Sequence, residues 1–198
     1  MIAIGTTGFF ETWHYINYPY VPNDPPNGPI TSVNAEHNVV WALNLINSTF
    51  HQVQPNELEL SRALYFHIHF MGDIHQPLHS MTLYSSKHEP PVGDAGGNLY
   101  SIQGANVTSL HKFWDSGAGL WGDDYDRPLN KSSSAAVLDF TEGLMKDYPE
   151  TSYHPSLFGM HFEDYAREAA AFAANLTYTT PENETVTKDY VSASRLGM

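Results

Sequence analysis

Apolar residues recur at the three- and four-residue spacing of helices along much of the chain. A first stretch runs from Val33 to Gln52, after a proline-rich loop at 19–30, and Thr31 or Ser32 is expected to cap it. A second runs from Glu57 to His75 and ends before a proline. The same spacing predicts four further helical segments: Ser109–Asp115, Ser133–Lys146, Pro155–Asn175 and Thr187–Leu196.

Between these helices the chain is mostly loop. Residues 84–98 and 117–130 are rich in glycine, proline and aspartate. A short apolar alternation over 98–103 and near Val107 predicts a small hairpin around Gly104. The pattern therefore predicts a mainly α fold with a minor β-hairpin, and a single domain that covers residues 1–198.

Composition narrows the class of protein. Hydrophobic residues make up 41% of the 198 residues, which is typical of a packed globule. The absence of cysteine excludes disulfides, thiolate metal sites and a cysteine nucleophile. The net charge of −13 argues against nonspecific binding of nucleic acid through a basic surface. No apolar run reaches 18 residues, so no membrane span is expected.

Histidine is unusually abundant, and several histidines stand at the spacing of metal ligands. The chain has 11 histidines against nine lysines and arginines together. His69 and Asp73 lie four residues apart on one face of a predicted helix, and His111 and Asp115 repeat that spacing. His79 follows the helix-ending proline, where the chain can turn back toward the same cleft. Nitrogen and oxygen donors without sulfur suit zinc or another borderline divalent ion.

The other histidines are expected to have structural roles. His67 and His75 fall off the face that carries His69 and Asp73. We expect His67 to pack in the core or against a partner, and His75 to support the metal ligands. The remaining five are isolated in sequence, and no metal is expected at them: His37, His51, His88, His154 and His161.

The segment His69–His79, HFMGDIHQPLH, resembles the signature of the zinc-dependent, single-strand-specific class I nucleases. This family includes fungal nucleases, plant bifunctional nucleases and protozoan 3′-nucleotidase/nucleases. Three further segments match the family in the same order along the chain: Trp13–Asn17, Gly96–Asn98 and Leu110–Asp115. The resemblance extends from about residue 10 to about residue 175.

The resemblance implies a multi-helix fold, related to that of zinc phospholipase C, with three zinc ions at the bottom of a cleft. It assigns His79, His111 and Asp115 to one zinc, and His14, His69 and Asp73 to another. Asp73 is expected to bridge to the third ion. His14, His69 and Asp73 are expected to be catalytic, because the paired ions activate the water that hydrolyses the phosphodiester to 5′-phosphate products.

Two residues beside the ligands are expected to bind substrate. Tyr15 matches an aromatic residue of the family on which a base stacks, and stacking tolerates every base. Asn17 stands where some members carry an aspartate that contacts a base edge. Asn98 is expected to shape a loop rather than to touch substrate.

The chain departs from the family pattern at its start. In the family, the third zinc is held by the mature N-terminal Trp and a nearby His, and a further Asp completes the second zinc. The thirteen residues before His14 contain no His, no Asp and no N-terminal Trp, and Glu11 is not expected to replace them. The sequence therefore predicts a nuclease domain that lacks the first helix and the end of the last one, with fewer than three zinc ions.

The function expected from these observations is a zinc-dependent endonuclease that cleaves single-stranded DNA and RNA, with 3′-nucleotides as a further substrate class. The alternatives are a phosphodiesterase of the zinc phospholipase C type, or an inactive remnant that binds zinc only partially. Nucleic acid or nucleotides are the expected partners, and a monomer without protein partners is expected.

Five Asn-x-Ser/Thr sequons point to the secretory pathway. They lie at Asn47, Asn106, Asn130, Asn175 and Asn183, whereas the composition predicts about two by chance. The first residues do not resemble a signal peptide. We therefore expect a secreted glycoprotein whose signal is absent from this sequence.

Overall fold

The structure is a computed structural model that describes residues 10–30, 35–54, 56–120, 128–155 and 159–196. Helices dominate this part of the chain, which confirms the mainly α class. Six α-helices and two short strands are described: β1 Tyr18–Tyr20, α1 Val39–Phe50, α2 Glu57–His75, β2 Met81–Leu83, α3 Leu110–Asp115, α4 Lys131–Asp147, α5 Phe162–Asn175 and α6 Lys188–Leu196.

The chain divides into two compact units. The first comprises Met1–Leu120 and Phe162–Met198, and the second comprises Trp121–His161. The second unit contains α4, whose first turn is capped by the Asn130 side chain on Ser133 N. Every residue predicted to belong to the site lies in the first unit. None of the described helices is both long and apolar enough to cross a lipid bilayer.

Asparagine caps decide where the first two helices begin. The Asn56 side chain accepts a hydrogen bond from Leu58 N at 2.8 Å, and α2 has the predicted bounds. The Asn38 side chain accepts from Trp41 N at 3.1 Å, so α1 begins at Val39, six residues after the predicted start. The predicted caps, Thr31 and Ser32, lie outside the described residues. Helix α5 begins at Phe162 and not at Pro155 as predicted.

The two strands form a small parallel sheet that the sequence did not reveal. Tyr18 pairs with Met81 and Tyr20 with Leu83, so β1 lies partly in the segment predicted as a proline-rich loop. The pairing predicted around Gly104 is present as one antiparallel bridge between Ser101 and Ser109. The sheet holds the segment after His14 against the segment after His79.

Two apolar clusters of the first unit hold the helices that carry the site. In one, α1, α2 and α5 pack through fully buried residues that include Leu43, Phe70 and Ala166. In the other, Trp114 of α3 donates its indole N–H to Tyr190 OH of α6 at 3.0 Å. The C-terminal half of α2 and all of α3 are therefore anchored by burial, which limits the positions that their polar side chains can take.

Candidate metal centre

The first ligand group joins the turn before β1 to the end of α2. His14 ends a 3-10 turn, Glu11–His14, and its Nδ1 lies 2.9 Å from Asp73 Oδ2. His69 Nε2 lies 3.1 Å from His14 Nδ1 and 3.3 Å from Asp73 Oδ2. Two imidazole nitrogens and one carboxylate oxygen thus converge on one point.

The second ligand group joins the turn after α2 to α3. His79 ends the 3-10 turn Pro77–His79, and its Nε2 lies 3.6 Å from Asp115 Oδ1. His111 Nε2 lies 3.4 Å from Asp115 Oδ2. Within each group the ligand atoms all lie within 4.8 Å of one another. Zinc bonds of about 2.0–2.1 Å in tetrahedral geometry place ligand atoms about 3.3 Å apart, close to these separations.

Main-chain carbonyls set the tautomers of two of these rings. His79 Nδ1 donates to His14 O at 2.7 Å, and His111 Nδ1 donates to Gly96 O at 2.6 Å. A carbonyl oxygen can only accept, so both Nδ1 atoms carry hydrogen. In the neutral ring this leaves the Nε2 lone pair, which faces Asp115, available to a metal ion.

Two glycines bring the Gly96 carbonyl to His111. Gly96 has φ +59°, and a Cβ there would lie 2.6 Å from Leu78 O. Gly97 has φ +80°, and a Cβ there would lie 2.7 Å from Leu78 Cδ1. Only glycine allows this backbone to approach the turn that carries His79 so closely. The paired glycines therefore couple the positions of the two rings.

At the second group, neighbouring charges shift the pKa values of the ligand side chains in the direction opposite to burial. Burial lowers the pKa of the His79 ring, but the carboxylates of Asp115 and Asp73 outweigh it, so the pKa lies above the usual 6.5. Burial raises the pKa of the Asp115 carboxyl, but His79, His111 and Gln76 outweigh it, so the pKa lies below its usual value. The carboxylate is thus held in the ionised form that a cation requires.

Both ligand groups border one cleft of about 810 Å³ in the first unit, the first group through His14 and the second through His79 and His111. Its walls include the two predicted substrate residues, Tyr15 and Asn17, and also Asn98, which was expected only to shape its loop. Burial, followed by the nearby Glu11 carboxylate, raises the pKa of the Tyr15 hydroxyl above 10. The full lining is Phe10, Glu11, His14, Tyr15, Asn17, Leu78, His79, Pro91, Val92, Ala95, Gly96, Asn98 and His111.

All six predicted metal ligands fall into these two groups: His14, His69, Asp73, His79, His111 and Asp115. Each group of three residues offers two imidazole nitrogens and one carboxylate, without sulfur, and this set of donors fits a divalent ion. The positions before residue 10, where the family's remaining ligands were sought, lie outside the described residues.

The surroundings of two other histidines and of one glutamine could not be predicted from sequence spacing alone. His67 is half-buried and lies edge-on to the rings of Phe50 and Phe162. His75 donates from Nδ1 to Met71 O and lies beside Tyr165, and its described contacts include no ligand residue. Gln76 was missed: its side-chain amide donates to Asp115 Oδ1 at 2.8 Å. Its place between α2 and a proline was the only available signal.

Comparison with known proteins supports the same family. The family profile described as S1/P1 Nuclease matches residues 3–196. Endonuclease 3 of Arabidopsis thaliana is 28% identical over 193 residues, which cover 95% of this chain and 61% of that protein. Nuclease S1 of Aspergillus oryzae is 40% identical over 63 residues, 31% of this chain and 18% of that protein.

The match of the profile is nearly as long as the chain itself, although the chain spans only about three fifths of the length of Endonuclease 3. The ligand groups and the cleft lie within the matched range. The two histidine-aspartate groups and this match lead to one conclusion: the chain belongs to the S1/P1 nuclease family.

Proposed function

We propose that the protein is a zinc-dependent phosphodiester hydrolase that cleaves single-stranded DNA and RNA to 5′-phosphate products. The observation that carries this proposal is the convergence of two histidine-aspartate groups on one cleft. A cleft bordered by two cation sites suits a phosphodiester, which is anionic before, during and after hydrolysis. The relatives named Endonuclease 3 and Nuclease S1 support the same reaction class.

The chain's own residues have distinct tasks in this proposal. Zinc, when bound, supplies a Lewis acid for the phosphate and lowers the pKa of water. Asp73 holds both partner rings of the first group, with Oδ2 within 3.3 Å of His14 and His69 nitrogens. Asp115 lies between His79 and His111, with Oδ1 3.6 Å from His79 Nε2 and Oδ2 3.4 Å from His111 Nε2. The carbonyls that fix the two Nδ1 atoms keep the ligand nitrogens directed at the cation position.

The cleft wall favours a nucleotide over a lipid headgroup. Tyr15 follows His14 directly and lines the same cleft, which places an aromatic face next to a ligand group. A base can stack there whatever its identity, as an enzyme without sequence preference requires. Asn17 provides an amide two residues further along the same wall. These two residues make the zinc phospholipase C alternative the weaker one.

The proposal is tested with the full chain prepared in zinc. We expect about two zinc ions per chain, one for each ligand group, and hydrolysis of single-stranded oligonucleotides that a chelator abolishes. His111→Ala should lose one zinc and the activity. The matched control is His51→Ala, because His51 is exposed and, among the described residues, its ring bonds only to Asn47 O of α1.

Two further substrates separate the alternatives. Hydrolysis of 3′-mononucleotides by the same preparation would add the 3′-nucleotidase activity, whereas hydrolysis of phosphatidylcholine without cleavage of DNA would favour the phospholipase type. Folded, zinc-loaded protein with no activity on any of these would support the inactive remnant. Cleavage that resists chelation would reject the zinc mechanism outright.

We propose separately that the protein is an exported glycoprotein. The five sequon asparagines are all exposed at the surface: Asn47, Asn106, Asn130, Asn175 and Asn183. Exposure is what glycosylation requires. Expression behind a heterologous signal peptide in a eukaryotic host should yield protein whose mass falls on treatment with a glycosidase specific for N-linked glycans. An unchanged mass would contradict the proposal.

A further inference from the structure

The Asn17 side chain forms a hydrogen bond through its amide oxygen, which leaves the amide NH₂ group for the cleft. Its Oδ1 accepts a hydrogen bond from Thr82 Oγ1 at 2.9 Å. Asn17 lines the cleft, whereas Thr82 lies in β2 and is only 1% exposed. The carbonyl end of the amide is therefore turned toward the sheet and away from any ligand in the cleft.

Packing around Thr82 directs its hydroxyl group toward Asn17. Gly93 has φ +61°, and a Cβ there would lie 2.6 Å from the Thr82 methyl group, so the backbone of Gly93 occupies that side of the threonine. The hydroxyl is left on the side of Asn17. A buried hydroxyl needs an acceptor for its hydrogen, and Asn17 Oδ1 is the acceptor it has. Reversing the amide would leave that hydrogen unpaired.

The backbone of Asn17 is held equally firmly. Ile16 N donates to His79 O at 2.7 Å, and Tyr18 N donates to Ser80 O at 3.1 Å. Both neighbours of Asn17 are thus tied to the segment that leads into β2. These bonds fix the main chain from which the Asn17 side chain extends, and the bond from Thr82 Oγ1 then sets the orientation of the amide.

With Oδ1 engaged by Thr82, the amide presents its NH₂ group to the cleft. Among the described residues no hydrogen bond from Asn17 Nδ2 is formed. An amide nitrogen donates and does not accept, so this wall can satisfy an acceptor on a ligand but not a second donor. A carbonyl oxygen on a base satisfies it, whereas an exocyclic amino group in the same place opposes it.

We propose that Asn17, oriented by Thr82, makes the cleft prefer keto bases, which are guanine, uracil and thymine, over the amino bases adenine and cytosine. This inference rests on the proposed function, because it takes the ligand to be a nucleotide. Asn17 is the group that contacts the base, and Thr82 is a positioning residue that acts through it. The preference follows from the polarity of a single group, so it is graded and leaves all four bases as substrates.

The test measures binding of nucleoside 5′-monophosphates to the zinc-loaded full chain by calorimetry. Comparing uridine with cytidine monophosphate, and guanosine with adenosine monophosphate, keeps ring size and stacking matched. One neutral hydrogen bond corresponds to about 2–10-fold in affinity, and we expect a keto preference of that size in both pairs. A zinc measurement on each variant verifies that the ligand groups are intact.

Three variants separate the roles of the two residues. Thr82→Val keeps the shape but removes the donor, so the amide can turn and both ratios should approach one. Thr82→Ser keeps the hydroxyl and should restore the preference. Asn17→Asp accepts rather than donates and should shift the preference toward the amino bases. Together the serine and aspartate variants test the inference even if the valine variant does not fold.

Three results would contradict different parts of the proposal. Equal affinity of the parent protein for keto and amino bases would overturn the inference and leave the nuclease proposal standing. A keto preference that persists in Thr82→Val would overturn the role of Thr82. Absence of binding by all four nucleotides, together with absence of cleavage, would reject the proposed function and the inference with it.

Discussion

Gln76 shows how a residue outside both ligand groups can control one of them. Its amide nitrogen donates to Asp115 Oδ1 at 2.8 Å, and its amide oxygen accepts from Leu78 N in the next turn. With both ends of the amide engaged, the side chain has one orientation. The Asp115 carboxylate is thereby held between His79 and His111, although Asp115 itself is about half exposed.

We expect Gln76→Ala to weaken zinc binding at the second group by about 10–100-fold, the usual effect of removing a residue that orients a metal ligand. Competition with a chromophoric chelator measures this affinity directly. Gln52→Ala is the matched control, because Gln52 is exposed just after α1. Equal affinity of the parent protein and Gln76→Ala would show that Asp115 needs no such support.

For single residues, the sequence predicted the candidate metal ligands but not the residues that orient them. The i, i+4 spacing placed His69 beside Asp73, and His111 beside Asp115, because a helix brings such residues to one face. Gln76 and Asp115 are 39 residues apart, and Asn17 and Thr82 are 65 residues apart. No local periodicity relates residues at that separation, so these contacts follow only from the tertiary fold.

Among the elements, the loop that carries Gly96 and Gly97 joins α3 to the turn that ends at His79. Gly96 O holds His111 through its Nδ1, and Gly97 O accepts from His111 N at 3.2 Å. The same loop approaches the turn that ends at His79 closely enough to exclude a side chain. The loop is therefore a structural support for α3 as well as a wall of the cleft.

Gly96→Ala should destabilise the protein by about 1–3 kcal/mol, because φ +59° strains an L-residue and the new Cβ meets Leu78 O. Zinc affinity should fall with it, since Gly96 O orients His111. Urea unfolding and zinc titration measure the two effects. In the control Gly72→Ala, nothing lies within 4 Å of the new Cβ in α2, and stability should rise by about 0.5–1 kcal/mol. Losses of similar size in both variants would refute the argument from strain.

The helices were predictable to different degrees for physical reasons. Helix α2 has the predicted bounds because a local cap starts it and a proline stops it. Helix α1 begins later than predicted because Asn38, and not Thr31 or Ser32, caps its first turn by accepting a hydrogen bond from Trp41 N. The parallel sheet escaped prediction because each strand has three residues and its partner lies about sixty residues away.

At the scale of the whole molecule, Asp94 links three parts of the first unit through one buried carboxylate. Its Oδ1 accepts from Leu83 N of β2 at 2.9 Å, and its Oδ2 accepts from Tyr178 OH at 2.8 Å. Asp94 has no exposed surface. Burial raises the pKa of this carboxyl above its ordinary 3.8, although both hydrogen bonds act in the opposite direction.

This raised pKa predicts how stability responds to pH. The folded state binds the proton more tightly than the unfolded state, so the contribution of Asp94 is fully present below about pH 3.8 and is lost as pH rises through the folded pKa. Asp94→Asn cannot ionise, so its free energy of unfolding relative to the parent should increase from pH 4 to pH 7. Urea unfolding of both proteins in zinc measures the difference.

The comparison with the parent cancels effects of pH on the metal ligands, which both proteins share. Asp189→Asn, which removes a carboxylate from an exposed position of α6, is the control for the change in net charge. A difference for Asp94→Asn that stays constant or decreases with pH would contradict the raised pKa.

The charge of the whole chain determines how a nucleic acid can be held. Nine lysines and arginines against 22 acidic residues leave little positive charge to follow a phosphate backbone. In the proposed function, positive charge comes instead from the ions at the two ligand groups, and these act only on the phosphates inside the cleft. Binding should therefore depend on one or two phosphates whatever the length of the strand.

Salt dependence tests this arrangement. Each neutralised phosphate of a single strand contributes a log–log slope of about −0.7, so one or two phosphates weaken binding about 3–7-fold between 50 and 200 mM salt. A protein that makes 6–10 phosphate contacts loses about 10³–10⁵ in affinity for duplex DNA over the same range. We expect the same shallow slope of KM for a trinucleotide and for a 20-mer, because both place the same phosphates in the cleft. A slope that steepens with strand length would instead show phosphate contacts spread over the protein surface. The negative net charge of the chain would then coexist with a basic surface outside the cleft.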